Sequence, residues 1–409
     1  MPNTSSGHQE IQIRPQIITL TLSAAAMLGM LNGFALGPFM PDISDDVGVS
    51  IPLLGQVATA TFVGAMAICL FAGPLADLYG KRRIITVGLL TLAVSAAGTA
   101  LAPDFGWLLA ARMVSAVSAG TLAGTTLAMA GTMFDGDDRR RALAWIASGV
   151  AVGGVIGIPV LTLIAALSSW RMSFGVVAVA GLLGVFAMRR MIPDDAIPGS
   201  RLQLRNILSS YRPLIGDRPM LSLYGSTTLR AIGWVGTLTY IGAYFADELG
   251  LSTAQIGWAY MVGGGGYFVG TKIAGSRFQN INLRTLYGIS TLLMGIFLGL
   301  SISLPAGAIP SICLVAIAGI TGGVGWVGLV TLISTSSPAG QGTTMSLNAA
   351  MFQIGSALGG LFGGLLLAVG GYATLGLGLM AFAFLAASLV WRPSPMAIPA
   401  RPKTATAVD

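Results

Sequence analysis

The sequence contains few charged residues: Asp, Glu, Lys and Arg make up 9% of its 409 residues, whereas hydrophobic residues make up 54%. In a soluble globular protein roughly a quarter of the residues are charged. A chain with so little charge cannot cover a water-facing surface, and its mean hydropathy of +0.80 points the same way. These proportions exclude a soluble globular protein and predict a chain that lies in a lipid bilayer.

The sequence also has little cysteine and histidine. Cys69 and Cys313 lie inside apolar runs, and the only histidine, His8, lies in a polar N-terminal tail. These are too few ligands for a disulfide framework or a metal site, and no cofactor is expected. The apolar runs hold no histidine and no carboxylate pair, and the glycine run 263–266 lies within a helical pattern rather than after a strand. We therefore expect neither an enzyme nor an ATP-driven pump.

Twelve apolar stretches match the length of about 20 residues that a helix needs to span a bilayer. They cover residues 17–40, 53–75, 84–101, 107–134, 142–167, 172–188, 220–245, 254–273, 286–304, 309–333, 345–369 and 372–390. Each is predicted to be a helix, because unpaired backbone groups are too costly in hydrocarbon. The expected fold class is an all-α membrane protein with twelve transmembrane helices.

Basic loops alternate along the chain with acidic or neutral ones. Three bases at 81–83 follow the second stretch, whereas three acids at 42, 45 and 46 follow the first. By the positive-inside rule, the basic loops and both termini are cytoplasmic, and Arg171 is the clear exception. The net charge of +7 is therefore a topology signal, and no nucleic-acid partner is expected. In the cell membrane we expect an N-terminal tail 1–15, a first bundle 16–190, a cytoplasmic linker 191–218, a second bundle 219–391 and a C-terminal tail 392–409.

The two halves share a glycine pattern in their fifth helices. Glycines four residues apart form a flat stripe that lets another helix backbone approach closely. The stripes consist of Gly149, Gly153 and Gly157 in the first half and Gly355, Gly359 and Gly363 in the second. The repeat predicts two pseudo-symmetric six-helix bundles around one central cavity.

A distinctive loop joins the second and third stretches. It combines two glycines, an acid and three bases, namely Gly73, Asp77, Gly80, Lys81, Arg82 and Arg83. Asp77, at a helix end, can accept bonds from a neighbouring helix terminus or an arginine and so hold one conformation. The pattern resembles the signature loop of the major facilitator superfamily. The second half has only a faded copy, in which Ser276 stands where the acid would be.

Further motifs resemble the twelve-helix drug:proton antiporter family, close to its sugar-, purine- and chloramphenicol-efflux branch. They include Arg112 in the fourth stretch and Gly153, Gly157 and Pro159 in the fifth, although Ile158 separates the last glycine from the proline. The resemblance implies export by alternating access, a proton as candidate coupling ion, a proton-transfer role for Arg112 and a conformational role for the fifth helix. A monomer is expected.

Charges at membrane depth are functional candidates because they are costly there. Arg112 and Arg230 lie in the middle of stretches, whereas Lys272 lies near an end and is expected to reach the interface. Either arginine could instead be a structural anchor, with Trp234 covering Arg230. No acid lies at mid-depth, and Asp42 and Asp77 come nearest. The candidate substrate-binding residues are Asn32, Arg112, Arg230, Trp234, Tyr240, Tyr260, Tyr267, Trp326, Asn348 and Gln353.

Three functions fit these patterns. The first is efflux of a small organic molecule (a drug, a sugar or a nucleobase-like compound) against a proton gradient. The second is a facilitator or exchanger of an organic anion, which would supply the counter-charge that Arg112 and Arg230 lack. The third is a non-transporting assembly factor or sensor with the same fold.

Overall fold

The computed structural model describes residues 15–194, 204–277, 281–304 and 307–391. These residues form twelve long helices, numbered α1 to α12 in chain order. The helices are α1 Pro15–Val47, α2 Ile51–Tyr79, α3 Lys81–Ala100, α4 Phe105–Met133, α5 Gly136–Leu167, α6 Trp170–Met191, α7 Arg218–Asp247, α8 Thr253–Arg277, α9 Leu283–Ser303, α10 Ala308–Ser336, α11 341–369 and α12 372–391. They match the predicted stretches one for one.

Nine continuous helices of the described residues are long and apolar enough to cross a membrane. One of them contains α11 and α12, which are separated where Gly370 and Gly371 leave helical geometry. α7 and α8 are not among the nine, although they have 30 and 25 residues. Buried polar side chains lower the hydropathy of α7, and the glycine run 263–266 lowers that of α8. Their length and their packing against the other helices place both among the twelve.

The loops divide the two ends of the bundle by charge. The end at which α1, α3 and α7 finish carries Asp42, Asp104 and Asp247 and is called the acidic end. The opposite end, with residues 81–83 and 139–141, is called the basic end. Arg171, the exception in the predicted topology, lies at the acidic end beside the acid Asp46, 2.5 Å from its carboxylate.

The glycine stripes bring equivalent helices together in each half. A methyl group added at Gly149 of α5 would lie 2.7 Å from the carbonyl oxygen of Ser23 in α1. One added at Gly355 of α11 would lie 2.2 Å from the carbonyl oxygen of Thr228 in α7. The glycine stripes therefore allow the close backbone approach that their spacing predicts. α5 packs against α1 in the first half, and α11 packs against α7 in the second.

The fifth helix is not regular throughout. Between α-helical segments, Gly153–Gly157 forms a π-helical turn, and Pro159 follows it. Proline has no N–H to donate, so the turn before it is free to widen. Such π-bulges occur often at functional positions in helices.

A further helix, Leu204–Gly216, lies in the segment between the halves and is called the linker helix. Its Leu214 and Tyr211 are buried, and the Tyr211 hydroxyl donates to the carbonyl oxygen of Leu70 in α2. Sequence reasoning placed only a polar stretch here. Its apolar residues recur every three or four positions, at 204, 207, 208, 211, 214 and 215. This helical spacing was the signal that could have revealed the helix.

Candidate functional site between the two halves

At the acidic end, the two halves meet through Tyr240 of α7. Its side chain is fully buried, and its hydroxyl donates to the carbonyl oxygen of Gly360 in α11 at 2.6 Å. A methyl group added at Gly55 of α2 would lie 1.6 Å from the same hydroxyl, and one at Gly363 would lie 2.5 Å from the ring. Tyr240 thus fills a slot that exists only because these residues lack side chains.

Polar contacts extend this closure to α1 and α8. Thr253 donates from its hydroxyl to both carboxylate oxygens of Asp42, at 3.2 and 3.0 Å. Tyr260 donates to the carbonyl oxygen of Leu238 at 2.6 Å and lies against Gly37. Tyr240 and Tyr260, expected in a substrate cavity, therefore lie where the halves close at the acidic end.

The contact between α5 and α8 weakens toward the basic end. Thr162 and Gly257, near the acidic end, are buried and so close that a methyl group on Gly257 would lie 1.8 Å from the threonine hydroxyl. Farther along α8 toward the basic end, a methyl group on Gly264 would lie 3.3 Å from the backbone of Gly154 in α5. The halves are thus packed more tightly at the acidic end along this pair.

Arg112 of α4 is held within the first half. Its guanidinium donates to the Asn32 side-chain oxygen at 3.1 Å and to the Asn32 carbonyl oxygen at 2.7 Å. It also lies over the Phe174 ring, 5.7 Å from the centroid. Asn32 in turn reaches the Ser118 hydroxyl at 3.5 Å. The structure joins two predicted residues in one internal network across α1, α4 and α6.

Arg230 of α7 has a different setting in the second half. Its guanidinium donates to the Gly322 carbonyl oxygen at 2.6 Å and lies 5.7 Å from the centroid of the Trp326 ring. Tyr267 is a neighbour of the guanidinium, and its ring lies 5.4 Å from that of Trp234. Four of the predicted residues therefore lie together where α7, α8 and α10 meet, namely Arg230, Trp234, Tyr267 and Trp326.

An aromatic cluster spans the interface beside this position. Phe34 and Phe62 of the first half lie 6.3 Å apart, and they pack in one group with Trp234 and Phe352 of the second half. Phe352 contacts the Trp326 ring edge-on at 5.7 Å. Sequence reasoning missed the three phenylalanines, because their apolar side chains look the same as those that face lipid.

The remaining predicted polar residues lie on α11. The Thr227 hydroxyl donates to the Asn348 side-chain oxygen at 2.8 Å, and Gln353 is 8% exposed. Thr59 of α2 donates to the Ala357 carbonyl oxygen at 3.2 Å. This hydrogen bond links the first half to the second. Thr227, Asn348 and Gln353 are therefore packed against protein in this conformation.

The signature loop lies at the basic end. Asp77 is 71% exposed and pairs with Lys81 at 3.5 Å, one turn away in sequence. Arg82 pairs with Asp194 and donates to the Arg189 carbonyl oxygen, while Arg83 is exposed. The loop therefore ties α2, α3 and the end of α6 within the first half.

Charge in the described interior is of one sign. Arg112 and Arg230 are 2% and 1% exposed, and no described Asp or Glu is buried. The NεH groups of both guanidiniums are buried without a partner among the described residues. Guanidinium binds carboxylate and phosphate groups in a bidentate manner, so both positions are chemically suited to anions.

Comparisons with known proteins agree with this architecture. The sequence model of the Major Facilitator Superfamily matches residues 22–252 and 223–408. Over 259 residues the chain is 27% identical to the chloramphenicol resistance protein of Streptomyces lividans, covering 63% of this chain and 66% of that protein. It is 26% identical over 338 residues to the inner membrane transport protein YdhP of Escherichia coli strain K12, covering 81% and 84%.

Solved structures are similar over almost the whole chain. A D-xylose-proton symporter superimposes with a TM-score of 0.76 at 16% identity, covering 92% of this chain and 97% of that one. A bacterial homologue of the human lysosomal transporter Spinster, inward-facing and occupied, gives 0.71 at 16% identity, with coverage of 92% and 96%. The predicted twelve-helix fold of two six-helix bundles is confirmed.

Proposed function

The chain belongs to the Major Facilitator Superfamily, whose members are membrane transporters and not enzymes, and from this we propose that it exports a small organic molecule by proton-coupled antiport. The observation that carries the proposal is the group of buried polar and aromatic side chains where the halves meet, around Arg230 and Trp234. Relatives named as chloramphenicol and puromycin resistance proteins support the outward direction. The predicted family is confirmed, whereas substrate and coupling remain proposals.

Alternating access would proceed by rocking of the two halves. The conformation described above is closed at the acidic end by Tyr240, Tyr260 and the Asp42–Thr253 bond. Loss of these contacts would open that end, while the loop around Asp77 would engage the second half at the basic end. In this scheme Gly73, Asp77, Gly80 and residues 81–83 form the switch at the basic end. The π-helical turn before Pro159 would let α5 bend.

A coupling proton needs an acceptor that changes its surroundings during the cycle. Asp42 is the carboxylate best placed for this, because its partner Thr253 belongs to the other half. Opening of the acidic end would expose Asp42 to water and to protons. Arg112 would act by holding α1 and α4 together, since two of its terminal N–H donors are bound by Asn32.

The arrangement in the membrane is also part of the proposal. The basic end, the linker helix and both tails would be cytoplasmic in the cell membrane, by the positive-inside rule. Residues 1–14 and 392–409 and part of the linker lie outside the described residues. The functional unit would be a monomer, because one chain supplies both halves of the passage.

Inverted membrane vesicles provide the test. With a proton gradient imposed, vesicles that contain the protein should accumulate at least one labelled compound from a panel of neutral, cationic and anionic aromatic molecules that includes chloramphenicol and puromycin, and a pH-sensitive dye should report proton release. An uncoupler should abolish accumulation, and Asp42→Asn should abolish the proton signal. Equal accumulation in vesicles without the protein, across the whole panel, would rule out export.

A further inference from the structure

Arg230 is a buried cation with only neutral partners among the described residues. It is 1% exposed, and its neighbours include the Gly322 carbonyl oxygen, the Tyr267 side chain and the Trp326 ring, with the Tyr287 hydroxyl also near its charge. Its NεH group is buried without any described partner. A buried guanidinium with unused donors is costly, and a carboxylate is the ligand that satisfies it best.

Arg112 differs from Arg230 in its available donors and in its position. Two of its terminal donors are bound by Asn32 within the first half, and it lies over Phe174 of the same half. No cross-half residue is among these contacts. Arg112 is therefore the internal anchor, and Arg230 is the cation that a ligand could engage.

The surroundings of Arg230 lead to the interface between the halves. A methyl group added at Gly322, whose carbonyl accepts from Arg230, would lie 3.1 Å from the Trp234 ring. Trp234 packs with Phe34 and Phe62 from the first half. A molecule that enters between the halves would thus meet aromatic faces before it reached the guanidinium.

We propose that the substrate is an aromatic organic anion, whose carboxylate binds Arg230 and whose ring packs among Trp234, Trp326 and Phe352. This inference rests on the proposed transport function and names the substrate class of the same site. Aromatic rings gain from stacked and edge-on contacts, and the charge-assisted bond selects the anion over an uncharged analogue. The anion also supplies the counter-charge that the described interior lacks.

Binding to the full-length protein in detergent tests this class directly. The probes are 2-naphthoate, 2-naphthamide and 2-naphthylmethylammonium, which share a ring system and differ in charge. Calorimetry should show 2-naphthoate binding at least about tenfold more tightly than the amide, with the cation weakest. Arg230→Gln should remove the preference for the anion, and Arg230→Lys should retain part of it.

The matched control is Arg171→Gln, which changes a partly exposed arginine at the acidic end and should leave the preference intact. Thermal unfolding of each variant shows whether it is folded. If Arg230→Gln does not fold, the binding measurement on Arg230→Lys still tests the proposal. Equal affinity for the three probes, preference for the cation or absence of naphthoate binding would overturn the inference. So would a preference that survives in Arg230→Gln.

The two proposals fail separately. Arg230-dependent binding of naphthoate without any flux in vesicles would refute export and leave the substrate class standing. Export of chloramphenicol by a protein that does not bind naphthoate would refute the substrate class and leave export standing.

Discussion

Arg112 and Arg230 are the largest fully buried side chains in the described part of the chain. A charged side chain at the centre of a spanning helix costs roughly 3 kcal/mol on insertion scales. Arg112 offsets this with two bonds to Asn32 and a contact with Phe174. Removing the guanidinium would leave the Asn32 oxygens unsatisfied in a site that water does not reach.

Arg112→Gln should therefore destabilise the protein by about 1–3 kcal/mol, because buried acceptors lose charged donors. The measurement is thermal unfolding of the purified protein, monitored as the loss of its monomer peak in size-exclusion chromatography after heating. A marked drop in recovery at elevated temperature is expected, together with loss of transport.

Arg171→Gln is the comparison variant, since that arginine also bonds a partner, Asp46, but is 33% exposed. Exposed pairs contribute about 0–1 kcal/mol, so its unfolding should change little. If the two variants unfolded alike, the network around Arg112 would not be the anchor that its geometry indicates.

At the scale of helices, the closed acidic end depends on backbone approach as much as on side chains. Tyr240 can lie between α2 and α11 because Gly55 and Gly363 leave room for it. Helices in membranes associate mainly through such close packing, since water provides little drive between them. The contact should therefore respond to a single added methyl group.

Gly55→Ala should push α2 and α11 apart at the acidic end and favour the conformation open there. The added carbon would lie 1.6 Å from the Tyr240 hydroxyl, against about 3.5–4.0 Å for ordinary contact, so a shift of about 2 Å is expected. Spin labels at Ser50→Cys and Val369→Cys, in a variant without Cys69 and Cys313, would report the distance.

Gly175→Ala is the matched control, because a methyl group at Gly175 would meet nothing within 4 Å. Combining Gly55→Ala with Tyr240→Ala should restore the short distance. An unchanged distance in Gly55→Ala alone would mean that α2 and α11 close by other contacts.

Sequence patterns predicted some of these contacts and not others. The spacing of Gly149 and Gly355 predicted close approach, and each indeed lies against a neighbouring backbone. Spacing alone could not tell which helix approaches, so the cross-half role of Gly55 was not foreseen. Tyr240 was expected among substrate contacts, because a polar aromatic residue at mid-helix gives no sign of its depth or partner.

The grouping around Arg230 shows the same limit. Arg230 and Trp234 could be placed on one face of α7 by helical spacing, but Tyr267 and Trp326 come from α8 and α10. Their meeting depends on the order of helices in the bundle, which periodicity does not contain. Phe352 could not be distinguished from lipid-facing residues for the same reason.

At the scale of the whole molecule, hydropathy predicted all twelve helices, while charge predicted their orientation. The orientation can be tested with single cysteines in a variant without Cys69 and Cys313. Pro103→Cys, exposed in the loop after α3, should react with a membrane-impermeant maleimide in intact cells. Asp138, in the first turn of α5 and beyond the other end of α4, has a side chain that is 71% exposed, and Asp138→Cys should react only after the membrane is opened.

The pair is matched, because the two positions flank the same helix and are both exposed. Labelling of Asp138→Cys but not Pro103→Cys in intact cells would invert the topology. Labelling of both would show mixed insertion, which the strong charge bias between the ends argues against.

The joint between α11 and α12 has a mechanical consequence. Only Gly370 and Gly371 separate these helices, with φ of +69° at Gly371. A connection of two residues is too short for the two helices to move independently. Any tilt of α11 against α2 would pull α12, whose Leu377 and Leu385 are more than half exposed, through the surrounding lipid. Turnover in phosphatidylcholine vesicles should therefore peak at one acyl-chain length and fall in thinner or thicker bilayers. The thickness of the lipid bilayer would then contribute to the energy of each transport cycle.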